Sequence, residues 1–145
     1  MIKQISIFAE NKKGSMREIT RVLAEQGISI LALVTNDSAE FGIVRMVVSN
    51  QELAFDVLKK AGYMVHADTV IAVKIGDEPG SLDRLLLELL ESNVNVDYLY
   101  MSYDRNNAVP IAVIKTPDIY EVAECLTARG CKLLCRGETG LKRTY

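Results

Sequence analysis

The sequence predicts an α+β protein made of two ferredoxin-like modules of β-α-β-β-α-β order, each an antiparallel sheet with both helices on one face. Three observations lead there. The chain repeats itself at a shift of 66 residues, the hydrophobic period inside each copy alternates between that of a strand and that of a helix, and a glycine or asparagine follows each helix. Under the shift, Asn11-Lys12-Lys13-Gly14-Ser15-Met16 falls on Asp77-Glu78-Pro79-Gly80-Ser81-Leu82, Leu23 on Leu89, Glu25 on Glu91, Leu33 on Leu99 and Val47 on Val113. Two extra residues near Pro117-Asp118 then lengthen the shift to 68, so that Leu58-Lys59-Lys60-Ala61-Gly62 falls on Leu126-Thr127-Ala128-Arg129-Gly130. The expected modules are residues 1–66 and 67–145.

Taken in order, residues 2–8 and 70–76 read as first strands, with Ile5/Ile7 and Ile71/Val73/Ile75 at period two. A Gly-Ser turn leads into helices at about 16–26 and 82–92. Met16, Ile19 and Leu23 share one helical face, as do Leu82, Leu85, Leu86 and Leu89. Ser15 with Glu18 three residues on reads as a capping box; the second copy keeps Ser81 but has Arg84 in place of the acid. Gly27 and Asn93 end these helices. Strands at about 28–35 and 42–49, then 94–102 and 108–115, form hairpins across the polar linkers Asn36–Glu40 and Tyr103–Asn107. Second helices follow at about 51–61 and 118–129, one begun by Asn50 and the other by Thr116-Pro117 with proline at a tolerated first position. Gly62 and Gly130 stop them, and strands at about 63–67 and 131–135 close the modules. No glycine or proline stands between Met64 and Ile75, so the last strand of copy one is expected to run almost directly into the first strand of copy two.

Composition excludes several classes. With 49% hydrophobic and 25% charged residues in 145, the chain is neither disordered, collagen-like nor coiled coil. No apolar run approaches the ~18–20 residues of a membrane span, so no membrane partner is expected. Seventeen Lys+Arg against nineteen Asp+Glu supply no basic field, and aromatics at 6% without Trp supply no base-stacking platform, so no nucleic-acid partner is expected. Met1 leads straight into a strand, which predicts a cytoplasmic protein without a signal peptide. Three cysteines, Cys125, Cys131 and Cys135, make an odd set that reads as small apolar groups rather than a disulfide framework or metal site. The single histidine, His66, has no obvious orienting partner.

The strongest local feature is the turn after each first strand. A glycine there lets a ligand approach the backbone, the helix start presents N–H groups to an anion, and Asn11 or Asp77 can accept from an ammonium group. The same turn also reads as a plain strand-to-helix connection. Glu18, Glu25, Glu88 and Glu91 fall on solvated helix faces, and no pair stands out for acid–base chemistry. Tyr98, Tyr100 and Tyr103 read either as a ligand edge or as hairpin packing. No phosphate loop, dinucleotide fingerprint or nucleophile elbow is present, so the chain is expected not to be an enzyme. Both faces of each third strand are apolar: Ile43 and Val47 alternate with Val44, Met46 and Val48, and Ile111 and Val113 with Ala112 and Ile114. Helices cover only one face, which predicts a homodimer.

The turns Asn11-x-x-Gly14-Ser15 and Asp77-x-Pro79-Gly80-Ser81, each entering an amphipathic helix, resemble the ACT domain, a small regulatory module that binds amino acids. The segments Leu23-Ala-Glu-Gln-Gly27-Ile-Ser-Ile30 and Leu89-Leu-Glu-Ser-Asn93-Val-Asn-Val96 look like that family's junction from helix to second strand. The whole chain is similar to short stand-alone tandem ACT proteins, in which Asp37-x-x-x-Phe41-Gly42-Ile43-Val44-Arg45 also recurs. The resemblance implies an amino-acid ligand at an interface between modules, under the first turn of one and against the second strand of another. Carried over by position, the ligand contacts are Asn11, Gly14, Ser15, Ser29 and Asp37 in the first copy, and Asp77, Gly80, Ser81 and Asn95 in the second. The first copy departs from the family in having Lys13 where a proline is usual and the short Ser29 where the second copy has Asn95. The function expected is that of a non-enzymatic amino-acid sensor without cofactor, with branched-chain or other small hydrophobic amino acids fitting the reading. The alternative is a ligand-free interaction module acting as the regulatory subunit of an amino-acid biosynthetic enzyme.

Overall fold

The computed structural model describes residues 1–36 and 41–135. The elements run β1 (Ile2–Glu10), α1 (Ser15–Glu25), β2 (Ile30–Asn36), β3 (Phe41–Val48), α2 (Gln51–Lys60), β4 (Met64–Lys74), α3 (Ser81–Glu91), β5 (Tyr98–Asp104), β6 (Val109–Lys115), α4 (Ile119–Ala128) and β7 (Lys132–Leu133). This is β-α-β-β-α-β twice, with one element, β4, passing through the residues that join the copies. The chain divides into two compact units, Lys3–Asp68 and Met1–Ile2 with Thr69–Tyr145.

In the first unit the strand order is β2-β3-β1 followed by the opening half of β4. β1 pairs antiparallel with β3 (Ile5 with Met46, Glu10 with Phe41), and β2 pairs antiparallel with β3 (Leu33 with Met46). The core is built from Ile5, Ile7 and Ala9 of β1, Ile19 and Leu23 of α1, Val44, Met46 and Val48 of β3, and Ala54 and Leu58 of α2. Residues alternate across a strand and recur every three or four along a helix, so those stripes meet on one side of the sheet. Burying one side chain such as Leu23 contributes about 1.5–3 kcal/mol.

The second unit has the order β5-β6-β4, with β7 on the far side of β4. Ile71 and Val73 of β4, Leu85 and Leu89 of α3, Ala112 and Ile114 of β6, and Val122, Ala123 and Leu126 of α4 form its own core. The Met1 ammonium donates to the Leu134 carbonyl at 2.9 Å, which ties the chain's first residue into this unit. Registers locate the length difference between the copies. Ile5 pairs with Met46, whereas Ile71, 66 residues on, pairs with Ile114, 68 residues on. Leu33 and Leu99 stay 66 apart, and each faces the same third-strand position. The two extra residues therefore lengthen the β5–β6 hairpin rather than fall at Pro117-Asp118, and the counterpart of Val47 is Lys115, not Val113.

The helix starts correct the expected caps. Gly14 and Gly80 are the N-caps of α1 and α3, because their carbonyls accept the first helical bonds, from Glu18 (3.1 Å) and Arg84 (3.0 Å), and having no side chain they make no side-chain cap bond. Ser15 and Ser81 lie one residue inside the helix and cannot reach back as caps. Glu18 instead meets Arg21 at 3.1 Å, and Ser81 Oγ accepts from Arg84 at 3.1 Å. Asn50 does cap α2, its side chain accepting from the Leu53 amide at 3.1 Å. Pro117 stands one residue ahead of Asp118, the cap of α4. All four helices close alike, the second residue past the cap donating five back: Ile28 to Leu23, Tyr63 to Leu58, Val94 to Leu89 and Cys131 to Leu126, at 2.9–3.1 Å.

Most of the apolar face expected to be uncovered is buried, although Ile43 is half-buried and Phe8, its partner across β1 and β3, is exposed. Val47, Ile111 and Val113 are 3%, 8% and 1% exposed within a single chain, so these three positions do not call for a second copy to cover them. No helix among the described residues is long and apolar enough to cross a membrane.

Candidate functional site

The site is built on the turn from β1 to α1. Gly14 holds φ 90° and ψ −9°, left-handed backbone that a residue without Cβ adopts at no steric cost. The Lys12 amide donates to the Glu10 carbonyl at 2.9 Å and the Ser15 amide to the Lys12 carbonyl at 3.2 Å. The Ser15 amide, expected to face an anion, is thus consumed by the turn. At the second turn Gly80 holds φ 89° and ψ −4°, and the Ser81 amide is used in the same way by the Glu78 carbonyl at 3.1 Å.

In the first unit this turn forms one wall of a cleft of about 620 Å³. The floor and opposite wall come from Phe8, Ala9 and Glu10 at the end of β1 and from Gly62, Tyr63 and Met64, where α2 passes into β4. Lys12, Lys13, Gly14, Ser15, Arg17 and Glu18 complete the lining. The volume falls within the ~300–1,000 Å³ of small-molecule sites. Charges around it are unevenly matched. Lys12 Nζ lies 2.6 Å from Glu10, whose hydrogen bond and charge hold that ammonium above the ordinary lysine range. Glu18 is engaged by Arg21, which also binds Glu25 at 2.5 Å. Lys13 and Arg17 make no ion pair among the described residues. The site therefore offers two available cations, a phenol and an apolar strip from Phe8 and Met64.

The structure brings together only part of the expected residue set. Gly14 and Ser15 line the cleft; Asn11 is exposed in the same turn but is not part of the lining. Ser29 lies elsewhere: its carbonyl accepts from Ser49 at 2.9 Å, and its amide donates to Ser49 Oγ at 2.9 Å. Glu10 faces Phe41, and Ser49 is eight residues further along, so Ser29 is about 27 Å from the turn at ~3.4 Å per residue. In the second unit, Ile75 just before the turn bonds Pro110, whereas Asp97, two residues past Asn95, bonds Lys115. Asp77, Gly80 and Ser81 thus sit beyond one end of β6 and Asn95 beyond the other. Within its own module, neither second-strand residue reaches the turn. Asp37 lies outside the described residues.

Sequence reasoning did not place Phe8, Arg17, Tyr63 or Met64 at the site, and named Lys13 only as a departure from the family pattern. The β-α-β-β-α-β order held the signal, because it sets the fourth strand beside the first and so brings the residues after Gly62 to the end of β1. The remaining candidates sit apart. Cys125 Sγ is 2.9 Å from Ser92 Oγ, and burial pushes the Cys131 thiol up. His66 does have a partner, Asp68 at 3.5 Å, and Asp68 also accepts from Ser6 Oγ at 3.3 Å. Tyr100 is buried, while Tyr103 is exposed at the end of β5.

Comparison with known proteins gives a family and a fold. Residues 1–130 match the family model described as an ACT domain pair. Among solved structures, the chain is similar to a protein from Bacteroides thetaiotaomicron at 33% identity, covering 96% of this chain and 95% of that one, with a TM-score of 0.88. Two others share the fold. The regulatory subunit of aspartate kinase from Thermus thermophilus, ligand-free, is 16% identical over 88% of this chain and 91% of that one, TM-score 0.65. The regulatory subunit of aspartate kinase from Thermus flavus is 15% identical over 87% and 90%, TM-score 0.61. No curated protein matches the chain.

Proposed function

This chain belongs to the ACT domain pair family, and from that premise we propose that it is a non-enzymatic regulatory protein that binds an amino acid. The observation that carries the reading is the cleft beside Gly14, where cations, a phenol and an apolar strip surround a space of small-molecule size. A zwitterion needs donors for its carboxylate and an acceptor for its ammonium. Lys13 and Arg17 supply the first, and the Tyr63 hydroxyl and Glu10 carboxylate the second. Each charge-assisted bond contributes about 1.5–3 kcal/mol. Two or three support micromolar to millimolar affinity once association entropy is subtracted, a range suited to sensing a metabolite pool. Binding regulates only if the ligand has different affinities for two states of the protein, which a partner or an oligomer then reads.

The test is a thermal-denaturation screen of the twenty amino acids against the intact chain, with oligomeric state followed by sedimentation. A ligand at 100 times its dissociation constant adds about 2.7 kcal/mol. Absence of any shift in a folded sample would reject the reading.

A second reading, a ligand-free subunit that docks to a second copy or to a larger biosynthetic enzyme, is favoured by α3. Leu86, Leu87 and Leu90 are exposed there, where α1 carries Thr20, Arg21 and Ala24. Loss of co-purification on Leu90→Glu, together with indifference to every amino acid, would support it.

A further inference from the structure

The two turns form an internal control. Their backbones agree within a few degrees, φ 90° and ψ −9° at Gly14 against φ 89° and ψ −4° at Gly80, yet their charges are opposite. Lys12, Lys13 and Arg17 of the first copy match Glu78, Pro79 and Asp83 of the second. Asp83 stands in the first turn of α3, where the helix dipole favours a carboxylate. Arg17 occupies the same place in α1, where the dipole opposes a cation, with Lys13 just ahead of the cap. The turn geometry does not require this arrangement, since the second copy does without it.

Nor do local partners explain it. The two carboxylates of the cleft are engaged, Glu10 by Lys12 at 2.6 Å and Glu18 by Arg21 at 3.1 Å. Lys13 and Arg17 remain, both lining the cleft and neither in an ion pair among the described residues. A departure from local preference confined to a ligand-sized cleft is where a functional constraint is expected.

We infer that the cleft beside Gly14 is selective for a small metabolite bearing two anionic groups, which within the proposed amino-acid reading means an amino acid with an acidic side chain: Arg17 and Lys13 meet one carboxylate each. The inference rests on that reading and replaces the small hydrophobic ligands expected from the sequence. The second turn, with Glu78 and Asp83, does not share the preference.

The experiment is calorimetric titration of the intact chain with L-aspartate, L-glutamate, their amides, L-leucine, succinate and inorganic phosphate, repeated with Lys13→Gln/Arg17→Gln. Aspartate or glutamate is expected to bind at least tenfold tighter than its amide. The double variant is expected to erase that margin, weakening the acid at least tenfold more than its amide, because the acid loses a partner at both carboxylates and the amide at one. Raising the salt concentration is expected to weaken the acidic ligand far more than the amide, a readout that needs no variant. Equal affinity for acid and amide would overturn the inference and leave the amino-acid reading standing. Binding of succinate or phosphate alone, lost in the double variant, would support the dianion site and reject the amino-acid reading. No binding by aspartate, glutamate, succinate or phosphate would overturn the inference.

Discussion

Replacing Gly14 with alanine isolates the conformational energy of the turn, because nothing lies within 4 Å of the position a Cβ would take. No clash and no lost side-chain contact enter the balance. What remains is the cost of holding an L-residue at φ 90°, beyond the left-handed well itself, about 2 kcal/mol at the upper end of the usual range. Alanine also restricts the unfolded chain, which offsets about 0.4–1 kcal/mol. The net loss is then about 1–1.5 kcal/mol, roughly a tenfold fall in the folding equilibrium. In a chain of this size that is a drop of about 3–5 °C in Tm. Urea titration followed by circular dichroism is the assay, with an unchanged slope and a lower midpoint expected. Gly80→Ala is the built-in replicate, since its backbone is the same and its Cβ site is equally open. The two losses should agree within about 0.5 kcal/mol and add in the double variant, because the turns border separate cores. A Gly14→Ala protein as stable as the parent would refute the reasoning, as would costs at the two sites that differ severalfold.

Two further perturbations follow from the same geometry. Asp104, buried at the β5–β6 hairpin, accepts from Lys74 Nζ at 2.8 Å, the Asn106 amide at 3.0 Å and Asn107 Nδ2 at 3.3 Å, and the Lys74 bond above all holds its carboxyl below the usual range. Its folded pKa is depressed, so its contribution is complete above the unfolded carboxylate value near 3.9 and is lost as pH falls through the lower folded value. Asp104→Asn should cost about 1–3 kcal/mol at neutral pH and flatten stability against pH between about 5 and 2; an unchanged acid limb would contradict this. Asn50→Ala should cost about 0.5–2 kcal/mol, since a true cap bond is lost, whereas Ser15→Ala should stay within about 0.5 kcal/mol. Equal costs in equilibrium denaturation would restore Ser15 as a cap.

Much of the fold was legible because it follows from local order. Period-two and period-3.6 patterns place Ile5/Ile7 and Ile19/Leu23 in one core and Ile71/Val73 and Leu85/Leu89 in the other. The glycine turns and the asparagine cap of α2 are chemistry of a few adjacent residues, so the sequence by itself determined the duplicated β-α-β-β-α-β order and the family. Pairing register lay beyond it. A match of Val47 to Val113 looks as good in sequence as any other, and only hydrogen-bonded partners show that the extra residues sit in the β5–β6 hairpin. The cap at Gly14 rather than Ser15 turned on which carbonyl opens the helical ladder, a difference of one residue that composition does not report. The cleft was the least legible feature. It joins Phe8 to Tyr63 and Met64, more than fifty residues apart in sequence, while Ser29 lies about 27 Å from the turn of its own module. Which side chains converge depends on how strands stack side by side. Sequence spacing fixes what each strand presents, and long-range pairing decides what it is presented to.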